Sequence, residues 1–314
     1  MTVNAADFAH ILDLRMTFKF LVGAVALFVA GFLLVAVSTH KSTGKSEKAK
    51  LWKTYLTWMI IAVFYSAAVI FGKVVFAAFI LVISLKAVKE FAKSAKVKKA
   101  YYVSLLVAAV TACSFALIFK AAFFYLPLAY FLALVAIGIF SQETKNGLRA
   151  TALCLFVFIW VPFQISFLLL LTSTTSWQPL MLLAGTAIAT SDVFAYFSGK
   201  LFQNIFPKTQ KIAERVNPNK TWLGASGNFI GALVGVFATR QILPSMPINK
   251  LVIIALVISF ASLLGGLINS FVKRNLKIKD FSSALPGHGG FIDRIDSLLT
   301  SAVALYFFHL FFGL

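Results

Sequence analysis

The stretch "LVIIALVISFASLLGGLINS", residues 251–270, decides the fold class because its twenty residues carry no charge. A membrane-spanning helix needs about 20 mostly apolar residues. Comparable segments recur along the chain, and ten are candidate spans: 17–39, 55–72, 74–92, 101–119, 121–141, 150–172, 179–198, 223–243, 250–270 and 297–314. These runs lack the alternation of membrane β-strands. The sequence therefore predicts an all-α, polytopic transmembrane helical bundle with about ten spans.

The composition and charge of the chain agree with a membrane protein. Of 314 residues, 60% are hydrophobic and 12% charged, and the mean hydropathy is +0.91, whereas soluble domains are about 25% charged. If the spans alternate, 23 of the 29 Lys and Arg residues fall on one side, which the positive-inside rule assigns to the cytoplasm. Basic residues near spans contact anionic headgroups, so the net charge of +19 does not indicate a nucleic-acid partner. We expect an integral protein of a bacterial inner membrane.

The ten acidic residues divide into two groups. Six lie at the terminus, at span ends or in loops, where water or nearby basic residues explain them: Asp7, Asp13, Glu47, Glu90, Glu143 and Glu214. The other four, in the C-terminal part, are Asp192, Asp280, Asp293 and Asp296. Asp192 lies in or near the end of the seventh candidate span, where a carboxylate costs about 2.5–3.5 kcal/mol and needs a partner or a function. Both a pair with Lys200 and a place in a wet cavity remain open.

The segment "NPNKTWLGASGN", residues 217–228, has the chemistry of an anion site at the start of a helix. Lys220 supplies positive charge, Thr221 is a helix-capping residue type, and two glycines allow close backbone approach. The same spacing of small residues is also typical of helix packing in membranes. Both interpretations stay open on the sequence.

The segment "SFVKRNLKIKDFSSALPGHGGFIDRIDS", residues 270–297, combines a loop with a cluster of charges. Its proline and glycines at 286–290 interrupt any helix. A helix beginning near residue 291 would place Asp293 and Asp296 on one face. Two carboxylates beside basic residues suit a Mg²⁺ ion held against a polyphosphate. The alternative is a juxtamembrane loop in which the aspartates only balance lysines.

These residues resemble the C-terminal signature of the phosphatidate cytidylyltransferase family, also called CDP-diacylglycerol synthases. The matching positions are Ser270, Lys273-Arg274, Lys279-Asp280, Pro286-x-His288-Gly289-Gly290 and Asp293-Arg294-x-Asp296. Two further pieces, "SDVFAYFSGK" and "PNKTWLG", extend the resemblance over roughly residues 185–300. The chain departs from the family pattern at Gly266, where an aspartate is usual, and at Leu223 and Asn228, where glutamate and glycine are usual.

The resemblance implies transfer of a cytidylyl group from CTP to phosphatidate, giving CDP-diacylglycerol and pyrophosphate. It implies Mg²⁺, with a second cation as an option, held by Asp293, Asp296 and Asp192. The implied catalytic residues are Lys273, Arg274, Lys279, Asp280, His288 and Arg294. The implied substrate-binding residues are Lys220, Thr221, Ser270, Gly289 and Gly290.

The expected organisation has two parts and a cleft that faces the cytoplasm. Residues 181–314 form a catalytic region with the signature at 270–296, and residues 1–180 form an N-terminal bundle that packs and offers a surface for a homodimer.

Two other functions remain alternatives. One is a CTP-dependent enzyme with another lipid acceptor, such as a polyprenol kinase or an isoprenoid-lipid cytidylyltransferase. The other is a transporter or a non-catalytic membrane protein, although transporters usually place polar groups near the midplane in paired repeats.

Overall fold

The computed structural model describes residues 14–41, 45–142, 145–201, 210–282 and 289–313. Its helices are α1 Leu14–Lys41, α2 Lys45–Ile70, α3 Lys73–Ser94, α4 Lys99–Ile118, α5 Lys120–Phe123, α6 Leu126–Phe140, α7 Gly147–Phe158, α8 Gln164–Leu171, α9 Trp177–Leu201, α10 Trp222–Thr239, α11 Ile248–Asn275 and α12 Ile292–Phe312. A π-helical turn at Ile159–Phe163 joins α7 to α8, and a 3₁₀ turn at Arg240–Ile242 follows α10.

Eight membrane-length apolar helices confirm the all-α polytopic class. Among the described residues, α1, α2, α4, the continuous α7–α8 unit, α9, α10, α11 and α12 are long and apolar enough to span a bilayer. Two of the ten predicted segments fall on helices outside this set. Helix α3 carries Lys86, Lys89 and Glu90 near its end, and α6 has 15 residues. The expected count of about ten is therefore approximate, because periodicity and hydropathy do not separate a full span from a charged or short helix.

A short β-hairpin precedes α10 and was not predicted from the sequence. Strand β1, Lys211–Ala213, pairs antiparallel with β2, Asn217–Thr221, and Lys211 lies opposite Thr221. The Pro218 residue in β2 cannot donate a ladder hydrogen bond, which suits a strand at an edge. The hairpin leads directly into α10 and brings Lys220 toward the helices of the C-terminal part.

Helices α9 and α10 pack closely through small residues. Gly227, Gly231 and Gly235 recur every four residues on α10. A Cβ at Gly235 would lie 2.7 Å from the Cα of Ala187, and one at Gly231 would lie 2.5 Å from the carbonyl oxygen of Thr190. Close backbone approach of this kind drives helix association in membranes. The packing interpretation of the glycine spacing therefore applies along this face of α10.

Helix α8 lies at the centre of the bundle and supports α12. All residues from Ile165 to Leu171 are buried, as expected for a helix that is apolar on every side. Helix α12 packs against both α8 and α11. At the second contact, Gly265 on α11 leaves space for the backbone carbonyl of Asp296. These contacts set the position of the first turn of α12, which carries the predicted site residues.

Candidate active site

Two carboxylates, Asp192 on α9 and Asp296 on α12, share one polar cluster. Asp192 accepts hydrogen bonds from the Ser297 hydroxyl at 3.1 and 3.2 Å and from the Ser262 hydroxyl at 3.4 Å. Asp296 accepts from the Asn269 side-chain amide at 2.8 Å. Three helices, α9, α11 and α12, therefore bring acidic and polar side chains together. The predicted pairing of Asp192 with Lys200 concerns a side chain outside the described part of the chain.

Lys220 supplies a positive charge to the same cluster. Its Nζ lies 3.0 Å from the position that a Cβ would take at Gly266, and the Oδ2 of Asp296 lies 4.0 Å from that position. The charges of Lys220 and Arg294 act on both Asp192 and Asp296. A side chain at Gly266 would contact the end of the flexible Lys220 side chain, which would have to shift slightly. Where the family pattern has an aspartate, this chain has the ammonium group of Lys220 close by.

Asp293 is buried and already engaged through both of its carboxylate oxygens. Its Oδ1 accepts from Lys273 Nζ at 2.6 Å and from the Asn269 amide at 3.3 Å. Its Oδ2 accepts from the backbone N–H groups of Phe281 at 3.2 Å and Gly290 at 3.0 Å. These four donors satisfy the charge of the carboxylate. The loop between α11 and α12, residues 276–291, is called the signature loop, and the structure describes its two ends, 276–282 and 289–291. Asp293 therefore links α11 to both of these ends, and few of its lone pairs remain for a metal ion.

Gly289 brings Asp280 close to Asp293. Its φ is +79°, a conformation that favours glycine. A Cβ there would lie 2.9 Å from Asp293 Oδ2 and 3.1 Å from Asp280 Oδ1. The position therefore requires glycine for conformation and for space. Asp280 is exposed at the edge of the site.

The remaining predicted basic residues differ in position, and Arg274 and Lys279 are exposed at the periphery of the site. The Arg274 Nε donates to the carbonyl oxygen of Val216 at 3.3 Å, which links α11 to the hairpin. Lys279 is exposed. The Arg294 guanidinium lies 6.0 Å from the Trp58 ring centre, within the range of a cation–π contact. His288 lies outside the described residues, so its predicted role stays a prediction.

Two predicted substrate-binding residues have structural roles in the described chain. The Thr221 hydroxyl accepts from the N–H of Gly224 at 3.0 Å, which confirms the predicted cap of α10. The buried Ser270 hydroxyl accepts from the Asn217 amide at 2.9 Å and donates to the Gly266 carbonyl at 2.8 Å. Their contacts with substrate stay predictions.

Sequence reasoning missed two buried asparagines and one glutamate. Asn228 donates to the Ser262 hydroxyl at 3.0 Å, and Asn269 contacts both signature aspartates of α12. Their Oδ1 atoms are buried and have no hydrogen-bond partner among the described residues. The glutamate is Glu90, whose place near basic residues at the end of a candidate span predicts only solvation or pairing. The usable signals were the position of Asn269 directly before the signature serine and the place of Glu90 within an apolar helix.

The cluster fits a Mg²⁺ ion at Asp192 and Asp296 better than at Asp293. No group of three or more His, Cys, Asp or Glu side chains with metal-binding geometry occurs in the described ranges. Mg²⁺ keeps several waters and is usually bound by one or two carboxylates together with substrate phosphates. Two carboxylates, two hydroxyls and the unpaired asparagine oxygens are hard oxygen donors of this kind. The two aspartates fit a site of this kind, while the oxygens of Asp293 serve other partners.

The fold and this cluster define a class: a polytopic helical membrane protein whose polar site combines carboxylates and amines at the start of its last span. Comparison with known families gives the particular group. The model of the cytidylyltransferase family matches residues 52–312. The chain belongs to the cytidylyltransferase family, which confirms the resemblance seen in the signature.

Curated relatives carry the name phosphatidate cytidylyltransferase. The protein of Mycobacterium leprae is 33% identical over 166 residues, which cover 53% of this chain and 52% of the relative. The protein of Rickettsia bellii is 32% identical over 191 residues, covering 58% and 80%. The protein of Haemophilus influenzae is 36% identical over 140 residues, covering 43% and 46%. The chain thus spans about half the length of several curated relatives that it matches.

Proposed function

We propose that this protein is a phosphatidate cytidylyltransferase, which converts CTP and phosphatidate into CDP-diacylglycerol and pyrophosphate in phospholipid biosynthesis. The observation that carries the proposal is the convergence of Asp192, Asp296 and Lys220 beside the family signature. The names of the bacterial relatives support the same reaction. A kinase or a cytidylyltransferase for isoprenoid lipids is the enzymatic alternative that an assay must exclude.

The proposed reaction is an in-line displacement at phosphorus. A phosphate oxygen of phosphatidate forms a bond to the α-phosphorus of CTP, the bond from that phosphorus to the bridging α–β oxygen breaks, and pyrophosphate leaves with the electron pair. Catalysis of such transfers comes mainly from positioning and charge neutralisation. The attacking phosphate is already an anion, so the site needs no general base.

Each group of residues has a proposed task. Asp192 and Asp296 hold the cation, and Mg²⁺ bound there would neutralise charge on the CTP phosphates. Cytidylyltransferases generally depend on divalent cations. Lys220 and Arg294 add positive charge at the carboxylates. We assign Asp293 and Lys273 to positioning because they satisfy each other. The phosphate contacts proposed for the other signature residues involve Arg274, Lys279, His288, Gly289 and Gly290. Asp280 is proposed as a further ligand of the cation or as a partner of such a ligand.

The proposed setting is a bacterial inner membrane with the site on its cytoplasmic side. The eight apolar helices establish an integral membrane protein. CTP is water-soluble and the diacyl chains of phosphatidate stay in the bilayer, so the reaction belongs at an interface. The basic loops favour the cytoplasmic face by the positive-inside rule. The homodimer and the division into parts at residue 180 stay predictions.

An assay with labelled CTP tests the proposal. The purified protein in detergent is incubated with phosphatidate, Mg²⁺ and CTP labelled at the α-phosphate, and label in the lipid phase is identified as CDP-diacylglycerol. Asp296→Asn is the loss-of-function control, and Glu214→Gln, in the exposed pair with Lys211, is the matched control. Transfer by the wild type and by the Glu214 variant, but not by the Asp296 variant, supports the proposal. Label that moves only from γ-labelled CTP to polyprenol would instead identify a lipid kinase.

A further inference from the structure

Helix α12 starts without a capping side chain of its own. Phe291, which precedes its first residue, has helical backbone angles (φ −61°, ψ −43°) and makes no side-chain capping bond. The first N–H groups of a helix lack partners within the helix. The N–H of Ile292 donates instead to Glu90 Oε2 at 3.2 Å, across 202 residues of sequence. A carboxylate at this end is also favoured by the helix dipole. The cap of α12 therefore comes from α3.

The Glu90 carboxylate also bonds to Ser282, at the other described end of the signature loop. Its Oε1 accepts from the Ser282 hydroxyl at 2.7 Å. A Cβ at Gly290 would lie 2.5 Å from Glu90 Oε2 and 3.1 Å from the Ser282 N–H nitrogen. Gly290 thus lets the carboxylate reach both ends of the loop. Glu90 joins residues 281–282 to residues 290–292.

Neighbouring residues of α3 reinforce this contact. Lys86, Glu90 and Ser94 are spaced four residues apart, which places them on one helix face. The Lys86 Nζ lies 4.9 Å from the Phe291 ring centre. The Ser94 hydroxyl donates to the Phe281 carbonyl at 2.9 Å. One face of α3 therefore contacts both described ends of the loop, although α3 lies in the N-terminal part that was predicted to serve packing.

We propose that Glu90 is a positioning residue of the active site, which fixes the first turn of α12 and with it the carboxylates of Asp293 and Asp296. The effect of Glu90 on catalysis rests on the proposed function, whereas its bonds to Ser282 and Ile292, called the anchor below, do not. Glu90 bonds the N–H of Ile292, one residue before Asp293, and Asp293 in turn bonds the N–H of Gly290. Loss of the Glu90 carboxylate removes these bonds and lets the start of α12, which carries Asp293 and Asp296, move. Glu90 acts through these groups and does not bind substrate.

The anchor is tested first by hydrogen exchange, which needs no activity. Glu90→Ala and Glu90→Gln are compared with wild type and with the control Glu214→Gln in detergent. The glutamine removes the negative charge but can keep both contacts, because its amide oxygen can accept from the Ile292 N–H and its amide nitrogen can donate to the Ser282 hydroxyl. We expect faster exchange in peptides covering 289–297 for the alanine variant, an intermediate effect for glutamine, and no change in peptides of α9. Unchanged exchange in both Glu90 variants would overturn the proposal.

The catalytic consequence is tested by steady-state kinetics. Because small displacements of reacting groups cost up to about 100-fold in rate, we expect kcat to fall by about 10- to 100-fold in Glu90→Ala. The KM for CTP and for phosphatidate should change little, since Glu90 contacts neither. A changed KM with unchanged kcat would contradict a positioning role, and so would faster exchange with full activity. A wild type without cytidylyl transfer would refute the proposed function, and the exchange data would then decide the anchor alone.

A second-site variant separates the anchor from general damage. Gly290→Ala places a methyl group against Glu90 Oε2 in the wild type. Shortening Glu90 to alanine removes the carboxylate from that contact. We therefore expect Gly290→Ala to lower kcat by a larger factor in the wild-type background than in the Glu90→Ala background, where the remaining contact is with the Ser282 nitrogen. Equal factors in the two backgrounds would show that these residues act independently, contrary to the proposal.

Discussion

Replacing Lys273 with methionine tests whether this lysine stabilises the fold or binds substrate. Its ammonium lies 2.6 Å from Asp293 Oδ1, and the side chains of Lys273 and Asp293 are only 14% and 4% exposed. Methionine keeps most of the aliphatic stem and removes the charge. The Asp293 carboxylate is then left buried with three neutral donors, at 3.0, 3.2 and 3.3 Å. The change therefore isolates the contribution of the ion pair.

The expected loss of stability follows from this geometry. Removing one partner of a buried ion pair lowers the free energy of unfolding by about 3–5 kcal/mol. Because three donors to Asp293 remain, we expect a loss at the lower end of this range, about 3 kcal/mol. At about 2–4 °C for each kcal/mol, the unfolding midpoint should fall by roughly 6–12 °C. Lys273→Met/Asp293→Asn should recover much of this loss because no buried charge remains. The oxygen of the new amide can still accept from the backbone N–H groups of Phe281 and Gly290.

Thermal unfolding in detergent, followed by intrinsic fluorescence, measures both variants at matched protein and detergent concentrations. Arg274→Met is the matched control, because Arg274 is an exposed neighbour that donates only one long bond to a carbonyl. The reasoning is refuted if Lys273→Met shifts the midpoint by less than about 2 °C, the size of a surface effect. It is also refuted if the double variant is no more stable than the single one. Normal stability with lost transfer would assign Lys273 to the substrate.

Three further predictions follow from individual contacts. Gly266→Asp places a carboxylate beside Lys220 and near Asp296, so we expect the Mg²⁺ concentration for half-maximal transfer to fall, whereas the isosteric Gly266→Asn should not lower it. Gly235→Leu inserts a side chain where a Cβ already lies 2.7 Å from α9 backbone, so the detergent-solubilised protein should unfold at a lower temperature or fail to fold, while a leucine at exposed Ile230 should leave the midpoint unchanged. Thr221→Ala removes the cap of α10 and should destabilise by about 1 kcal/mol, with Thr221→Ser close to wild type in the same melting assay.

The helical segments could be predicted because membrane insertion is a local property of the chain. The ten predicted apolar segments are largely helical, since a backbone in lipid must satisfy its own hydrogen bonds, although 121–141 and 150–172 each cover more than one helix. The number of full spans differs from the predicted ten, because α3 and α6 are outside the set of eight span-length helices among the described residues. The hairpin at Lys211–Thr221 was missed because its short, polar strands depend on pairing with each other. Hydropathy carries no information about such pairing.

The site was predicted in part because its signature lies within one short segment. The spacing of Asp293 and Asp296 placed both near the start of α12, where they are found, with Asp293 in its first turn. Their environments differ in a way that spacing cannot express. Asp293 is enclosed by Lys273 and two backbone N–H groups, while Asp296 faces Asn269 and the charge of Lys220. The difference arises from what α11 and the hairpin place beside each residue.

The membrane class, the helical segments and the short-range grouping of charges follow from the sequence, because these depend on composition and on the period of one helix. Contacts between side chains of distant segments follow from the tertiary structure. It placed Asp192 against Ser297 and brought Glu90 to the start of α12. Such pairs depend on how helices pack in three dimensions. A carboxylate that looks like one more solvated acid in the sequence can therefore cap a helix two hundred residues away.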